Sequence, residues 1–218
     1  MNSNFLTGEV SCPHLTSFKS AATRLLKKSA VSLALCGLVH GSWAADLYWD
    51  ADGVAPASGG AGAWDVTNAR WSTDSLGTSY QIWNNGNLDN AILSGTAGAV
   101  TLGTGITVNK ITMTLAGYTL GTAGSTTPVL TFSGAGAGVE VQAITGTTSL
   151  SANYTGVSLT KSGTGRLELN NANNTIGKYV ILGGFLSIPA VNRLGAAPGS
   201  LVPDYFTLDG GGSAQQTS

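Results

Sequence analysis

The chain has 218 residues, 10 Lys and Arg against 11 Asp and Glu, 31 glycines, 42% hydrophobic residues and only 10% charged ones. So much apolar content with so little charge excludes a disordered chain, and the lack of a basic surplus excludes nucleic acid or anionic lipid as an electrostatic partner. Both cysteines (Cys12, Cys36) and both histidines (His14, His40) precede residue 41, so nothing beyond them offers a disulfide, a thiol nucleophile, a histidine base or an ordinary zinc site.

The first element is a leader. "RLLKK" (24–28) is basic, "SAVSLALCGLVHG" (29–41) is an apolar run of 13 residues, and "SWAA" (42–45) supplies small residues at Ser42, Ala44 and Ala45. This is the layout of a cleaved export signal over residues 1–45, with the cut after Ala44 or Ala45. A membrane span needs roughly 20 apolar residues, and a lipoprotein site at Cys36 would need a small residue where Leu35 stands. Without the leader, ten acidic residues face six basic ones, a net charge of −4, and no membrane span remains.

Residues 46–90 hold Trp49, Trp64, Trp71 and Trp83. They read as a Trp-rich N-terminal cap in which the indoles fill a core; the alternative is that they stack on sugar rings as glycan contacts. "DADG" (50–53) reads as a polar turn, because a calcium loop needs further oxygen ligands at fixed spacing.

From residue 91 to 212 short apolar or alternating runs recur with turn residues every 8 to 12 positions, and glycine interrupts every helical pattern. Strands are predicted at 91–95, 99–102, 109–115, 118–120, 128–133, 138–144, 156–161, 166–170, 179–182, 184–188 and 205–209. "NNG" (84–86) is the one clean hairpin turn. Strands this short fit stacked coils better than a sandwich. Roughly 20 to 25 residues per coil and about 4.8 Å per layer give seven or eight layers and a rod about 35 Å long. Residues 213–218 read as a polar tail.

The stretch "LTKSGTGRLELNNANNTIGKYVILGGFLSI" (159–188) resembles the autotransporter-associated β-strand repeat of bacterial surface proteins. The matching positions are Leu159, Lys161, Gly163, Gly165, Leu167, Leu169, Asn173, Gly177, Ile181, Gly183, Gly184 and Leu186; Lys178 and Phe185 depart from the pattern. The resemblance implies an all-β protein, a right-handed parallel β-helix or related solenoid, secreted and displayed at the bacterial surface in association with the outer membrane. It carries over no catalytic residue; no cofactor is expected, and no metal either, since the chain after the leader has neither cysteine nor histidine. Partners would be surface glycans or host and matrix components, and a full-length protein of this kind continues into downstream repeats or a barrel. The ending "GGGSAQQTS" therefore reads as that of a fragment or a short member.

Other residues invite a chemical reading. Glu140 and Glu168 are the only glutamates after the leader, and a glycosidase needs a converging carboxylate pair, but single outward charges also keep a solenoid soluble. Lys161 and Arg166 read as solvated charges at a corner, and "NNANN" (170–174) as stacked asparagines bonding along the rod. "GAGAG" (134–138) lacks the Lys-Ser/Thr of a phosphate loop. The expected function is a non-enzymatic stalk, secretion-assisting repeat or adhesin scaffold; the alternative is a glycan-binding module using the four tryptophans.

Overall fold

The computed structural model describes residues 44–217. The expected leader falls on residues 1–45, almost all of them outside that range. No helix among the described residues is long and apolar enough to cross a membrane.

The chain begins with β1 (Asp46–Trp49), β2 (Gly62–Trp64), β3 (Ala69–Ser72) and β4 (Tyr80–Ile82). It then repeats a three-strand coil. The first is β5 (Asn90–Leu93), β6 (Ala99–Leu102) and β7 (Ile106–Val108), the second β8 (Lys110–Met113), β9 (Thr119–Leu120) and β10 (Val129–Phe132). The third is β11 (Gly138–Val141), β12 (Thr147–Leu150) and β13 (Asn153–Gly156), the fourth β14 (Leu159–Ser162), β15 (Arg166–Leu169) and β16 (Thr175–Ile176). Two shorter coils follow: β17 (Tyr179–Ile181) and β18 (Phe185–Ile188) with a 3-10 turn at Val191–Leu194, then β19 (Phe206–Leu208) and β20 (Ser213–Gln216).

Each coil stacks on the previous one through parallel pairing, so the strands collect into three sheets. Seven parallel strands, β1, β5, β8, β11, β14, β17 and β19, form the first sheet, which β3 and β4 extend antiparallel at its N-terminal end. The second contains β7, β10, β13 and β16, and the third β2, β6, β9, β12, β15, β18 and β20. The protein is thus an all-β parallel solenoid, in keeping with the short glycine-punctuated strands.

The period-two alternation of each strand builds the core. In the first sheet Ala91, Ile111, Val139, Lys161, Ile181 and Leu208 lie in register, one per coil, and form an inward column. Leu93, Met113 and Val141 form the next. The third sheet contributes Val100, Leu120, Leu150 and Leu169. All of these except Leu208 are buried.

Corners take the residues that the path demands. Gly163 sits at φ +75°, and a Cβ there would lie 2.3 Å from the Val141 carbonyl oxygen in the coil above. Only glycine meets both conditions without strain.

Several expectations are corrected. The parallel ladder starts at β1, so the solenoid begins at Asp46 and not at 91, and segment 46–90 supplies a first coil as well as an end structure. Ser213–Gln216 is a strand, not a tail, because the open edge of β18 recruits its backbone whatever its side chains. The run 156–161 is split into the end of β13 and the start of β14 by a corner that leaves Val157 exposed. The turn at 84–86 is closed by Asn84 and Asn87 but joins no hairpin: the hairpin is that of β3 and β4, whose connection is tied from Thr73 N–H to Ser79 O.

Candidate functional site

The N-terminal end is where the chain gathers its large side chains. Trp49 and Trp64 end β1 and β2, Trp71 lies in β3, and Trp83 follows β4. Ring centroids lie 4.7 to 5.2 Å apart along Trp49–Trp71, Trp71–Trp64, Trp71–Trp83 and Trp64–Trp83, all tilted or edge to face. None is more than 1% exposed. The expectation of glycan stacking on these four rings is thereby corrected: an indole needs a free face to meet a pyranose, and these faces are covered by one another. Trp49 donates to Gly60 O at 2.9 Å and Trp83 to Thr107 O at 3.0 Å, while the indole N–H groups of Trp64 and Trp71 are buried without an acceptor.

The same segment closes the strand edges. β3 covers β1. In the second sheet the first strand is β7, and its open side is met by a side chain: Asn85 donates its amide to Gly105 O at 3.0 Å and accepts Thr107 N–H at 2.8 Å. With the Trp83 indole on Thr107 O, the exposed backbone of β7 is satisfied without another strand.

Beside this cap lies a groove of about 520 Å³, walled by Gln81, Asn84, Asn85 and Asn87 with Val66 and Ile82, and floored by the 1% exposed Trp83. Its polar groups are neutral amides, suited to hydrogen bonding an uncharged polar ligand and carrying no nucleophile or base.

"DADG" forms a turn in which Asp52 accepts the Val54 N–H at 2.9 Å. Asp50 is buried and receives hydroxyls from Ser58, at 3.3 Å, and Tyr80. Burial, with Asp50 alongside, pushes the Tyr80 phenol well above its usual range.

Lys161 is not the solvated corner charge that the sequence suggested. It occupies the interior column and is fully buried. Its ammonium donates to Ser162 O at 2.7 Å, Gly163 O at 3.1 Å and Gly183 O at 3.1 Å, so all three N–H groups are used on corner carbonyls of two successive coils. Burial pulls its pKa down to about 8, with the Glu140 carboxylate opposing. Arg166 lies in β15 and donates to Ser187 Oγ at 2.9 Å.

Glu140 and Glu168 sit in different sheets and do not converge. Glu140, in β11, is paired with Lys110 at 3.1 Å; the Gln142 amide first, then Lys110, holds its carboxyl below the usual value. Glu168, in β15, accepts the Asn170 amide at 2.7 Å. No group of three or more carboxylates placed to hold a metal occurs among the described residues.

The asparagines of 170–174 do not stack on one another as expected. Asn171, fully buried, donates to Ser125 O and Ser151 O at 2.9 and 3.0 Å, and Asn174 donates to Asn171 O and Arg193 O at 2.7 and 2.8 Å. They bond to backbone carbonyls of their own turn and of neighbouring coils rather than to one another's amides. A side-chain ladder does exist elsewhere. Asn90 donates to Asp46 at 2.8 Å, Asn109 to Asn90 at 2.8 Å, and the Gly136 N–H to Asn109 at 2.9 Å. Asn85 and this ladder were not legible as functional positions, since isolated asparagines before strands look like ordinary turn residues.

No family model matches the chain, and no solved structure matches it. Among curated proteins, the adhesin BmaC autotransporter of Brucella suis biovar 1 (strain 1330) is 39% identical over 215 residues, covering 89% of this chain. The chain spans about 6% of that relative's length. With its stacked parallel coils and this match along most of its length, the chain is an autotransporter-associated, passenger-type β-solenoid protein.

Proposed function

We propose that this chain is a non-enzymatic, exported stalk or scaffold segment at the bacterial surface, delivered by the leader of residues 1–45. The observation that supports the reading is the parallel run of the first sheet from β1 to β19. In it every coil adds one layer, the inward positions make columns, and the outward positions carry scattered hydroxyls, amides and single charges. Such a rod sets distance between a cell envelope and whatever lies at its far end. Likeness to a part of an adhesin supports a place within a surface-binding protein.

The test is display of the full chain, with its leader, ahead of an outer-membrane barrel in a bacterium that lacks it. The expected outcome is a surface rod that withstands added protease, on cells that adhere to glycan- or matrix-coated wells no better than cells displaying the barrel alone. Adherence many times above that control would overturn the stalk reading in favour of a ligand-binding module.

A further inference from the structure

Asp89, the residue before β5, is 3% exposed. A buried carboxylate normally meets a cation, since removing its charge from water is strongly unfavourable. Among the described residues the ion pair is Lys110 with Glu140, and Asp89 has none. Its oxygens accept two neutral donors instead: the Ala45 backbone N–H at 3.0 Å and the Asn87 amide at 3.3 Å.

The Ala45 nitrogen belongs to the Ala44–Ala45 peptide bond. A cut at that bond places Ala44 last and Ser42 third from the end of the leader, both small, whereas a cut one residue later places Trp43 where a small residue is required. The backbone at this point is already docked, because Ala45 O accepts the Asn90 N–H at 2.7 Å.

We propose that leader peptidase hydrolyses the Ala44–Ala45 bond and that the α-ammonium so created forms an ion pair with the buried Asp89 carboxylate. The inference rests on the export reading above. In the hydrolysis the hydroxyl of one water goes to the Ala44 carbonyl carbon and its hydrogen to the Ala45 nitrogen, which takes up one more proton from solvent. The donor facing Asp89 thus changes from a neutral amide to a cation. Of the charged groups nearby, Asp46 is engaged by the Asn90 amide at 2.8 Å and Lys110 by Glu140. Processing then completes the first coil electrostatically, and the mature chain begins with its terminus fastened to β5.

The test uses the full chain with its own leader, exported by a Gram-negative host and purified, beside Asp89→Asn, which keeps an oxygen for the N–H but loses the charge. N-terminal sequencing is expected to start at Ala45. An amine-reactive ester at pH 7 is expected to label that α-amino group roughly tenfold more slowly in the wild type than in Asp89→Asn, the effect of about one pKa unit on the free-amine fraction. If Asp89→Asn does not fold, a chain with one glycine inserted between Ala44 and Ala45 gives the same comparison, since its terminus overshoots the carboxylate. A first residue other than Ala45, or equal labelling rates, overturns the ion pair alone. Retention of Met1 on the full chain overturns the export reading along with it.

Discussion

Lys161 lies directly below Val139 in the interior column of the first sheet, one coil apart and in register. An ammonium takes the place of a methyl group there because the corner carbonyls of Ser162, Gly163 and Gly183 converge at that point. Lys161→Ala strands three acceptors and opens a void, and is expected to lower stability by about 2–4 kcal/mol in urea titration. Lys161→Met fills the void and recovers only part of the loss.

The same residue gives a pH signature. Its folded pKa of about 8 lies below the 10.5 of the free side chain, so between these values the unfolded chain binds more protons and stability rises with pH. Lys161→Met is expected to abolish that rise. Burial pushes Tyr118 up to about 12, and Tyr154 and Tyr179 upward as well. Their folded forms therefore hold protons that the unfolded chain releases above about pH 10, and stability falls there. Denaturation midpoints from pH 7 to 11 should trace a rise followed by a fall.

Asn85 stands in for a strand on the open side of β7. Asn85→Ala leaves the Thr107 N–H and Gly105 O without their partner, and a loss of about 1–3 kcal/mol is expected. Hydrogen exchange at the Thr107 amide should quicken markedly while amides in β11 stay protected.

Gly163→Ala and Gly199→Ala form a matched pair. The first meets φ +75° and a carbonyl oxygen at 2.3 Å, whereas the second has no atom within 4 Å of its added Cβ. Gly163→Ala should destabilise by at least about 1–3 kcal/mol, and Gly199→Ala should be neutral or stabilise by roughly 0.4–1 kcal/mol. Thermal unfolding of the two variants side by side measures the difference.

Trp71 touches the other three indoles. Trp71→Ala is expected to cost about 3–5 kcal/mol, and Trp71→Phe distinctly less. Added mono- and disaccharides should leave the emission of these four tryptophans unchanged, because their ring faces are covered by one another.

The coil was legible in the sequence because its signals are local. Leu167 and Leu169, or Val139 and Val141, alternate inward within four residues, and glycines stand where the path bends. Strands such as Thr147–Leu150 and Asn153–Gly156 were missed because hydroxyl and amide side chains dominate them, and they are strands through their neighbours in adjacent coils. Lys161 was misjudged for a related reason: its three acceptors come from the chain at 162, 163 and 183, and no sequence window brings the last beside the others. The pairing of Asp89 with Ala45 spans 44 residues and is equally silent.

The bonds linking Asp46, Asn90, Asn109 and Gly136 have a consequence for how such a protein can change length. A shift of one residue in a coil turns its inward side chains outward, and in the coils that carry Asn90 and Asn109 it also breaks the amide contacts to both neighbours. Removing one whole coil brings an equivalent position into the gap and lets them reform. Insertions and deletions are therefore tolerated in units of about one turn, roughly 20 residues or somewhat more, and a surface rod of this kind evolves by counting coils rather than residues.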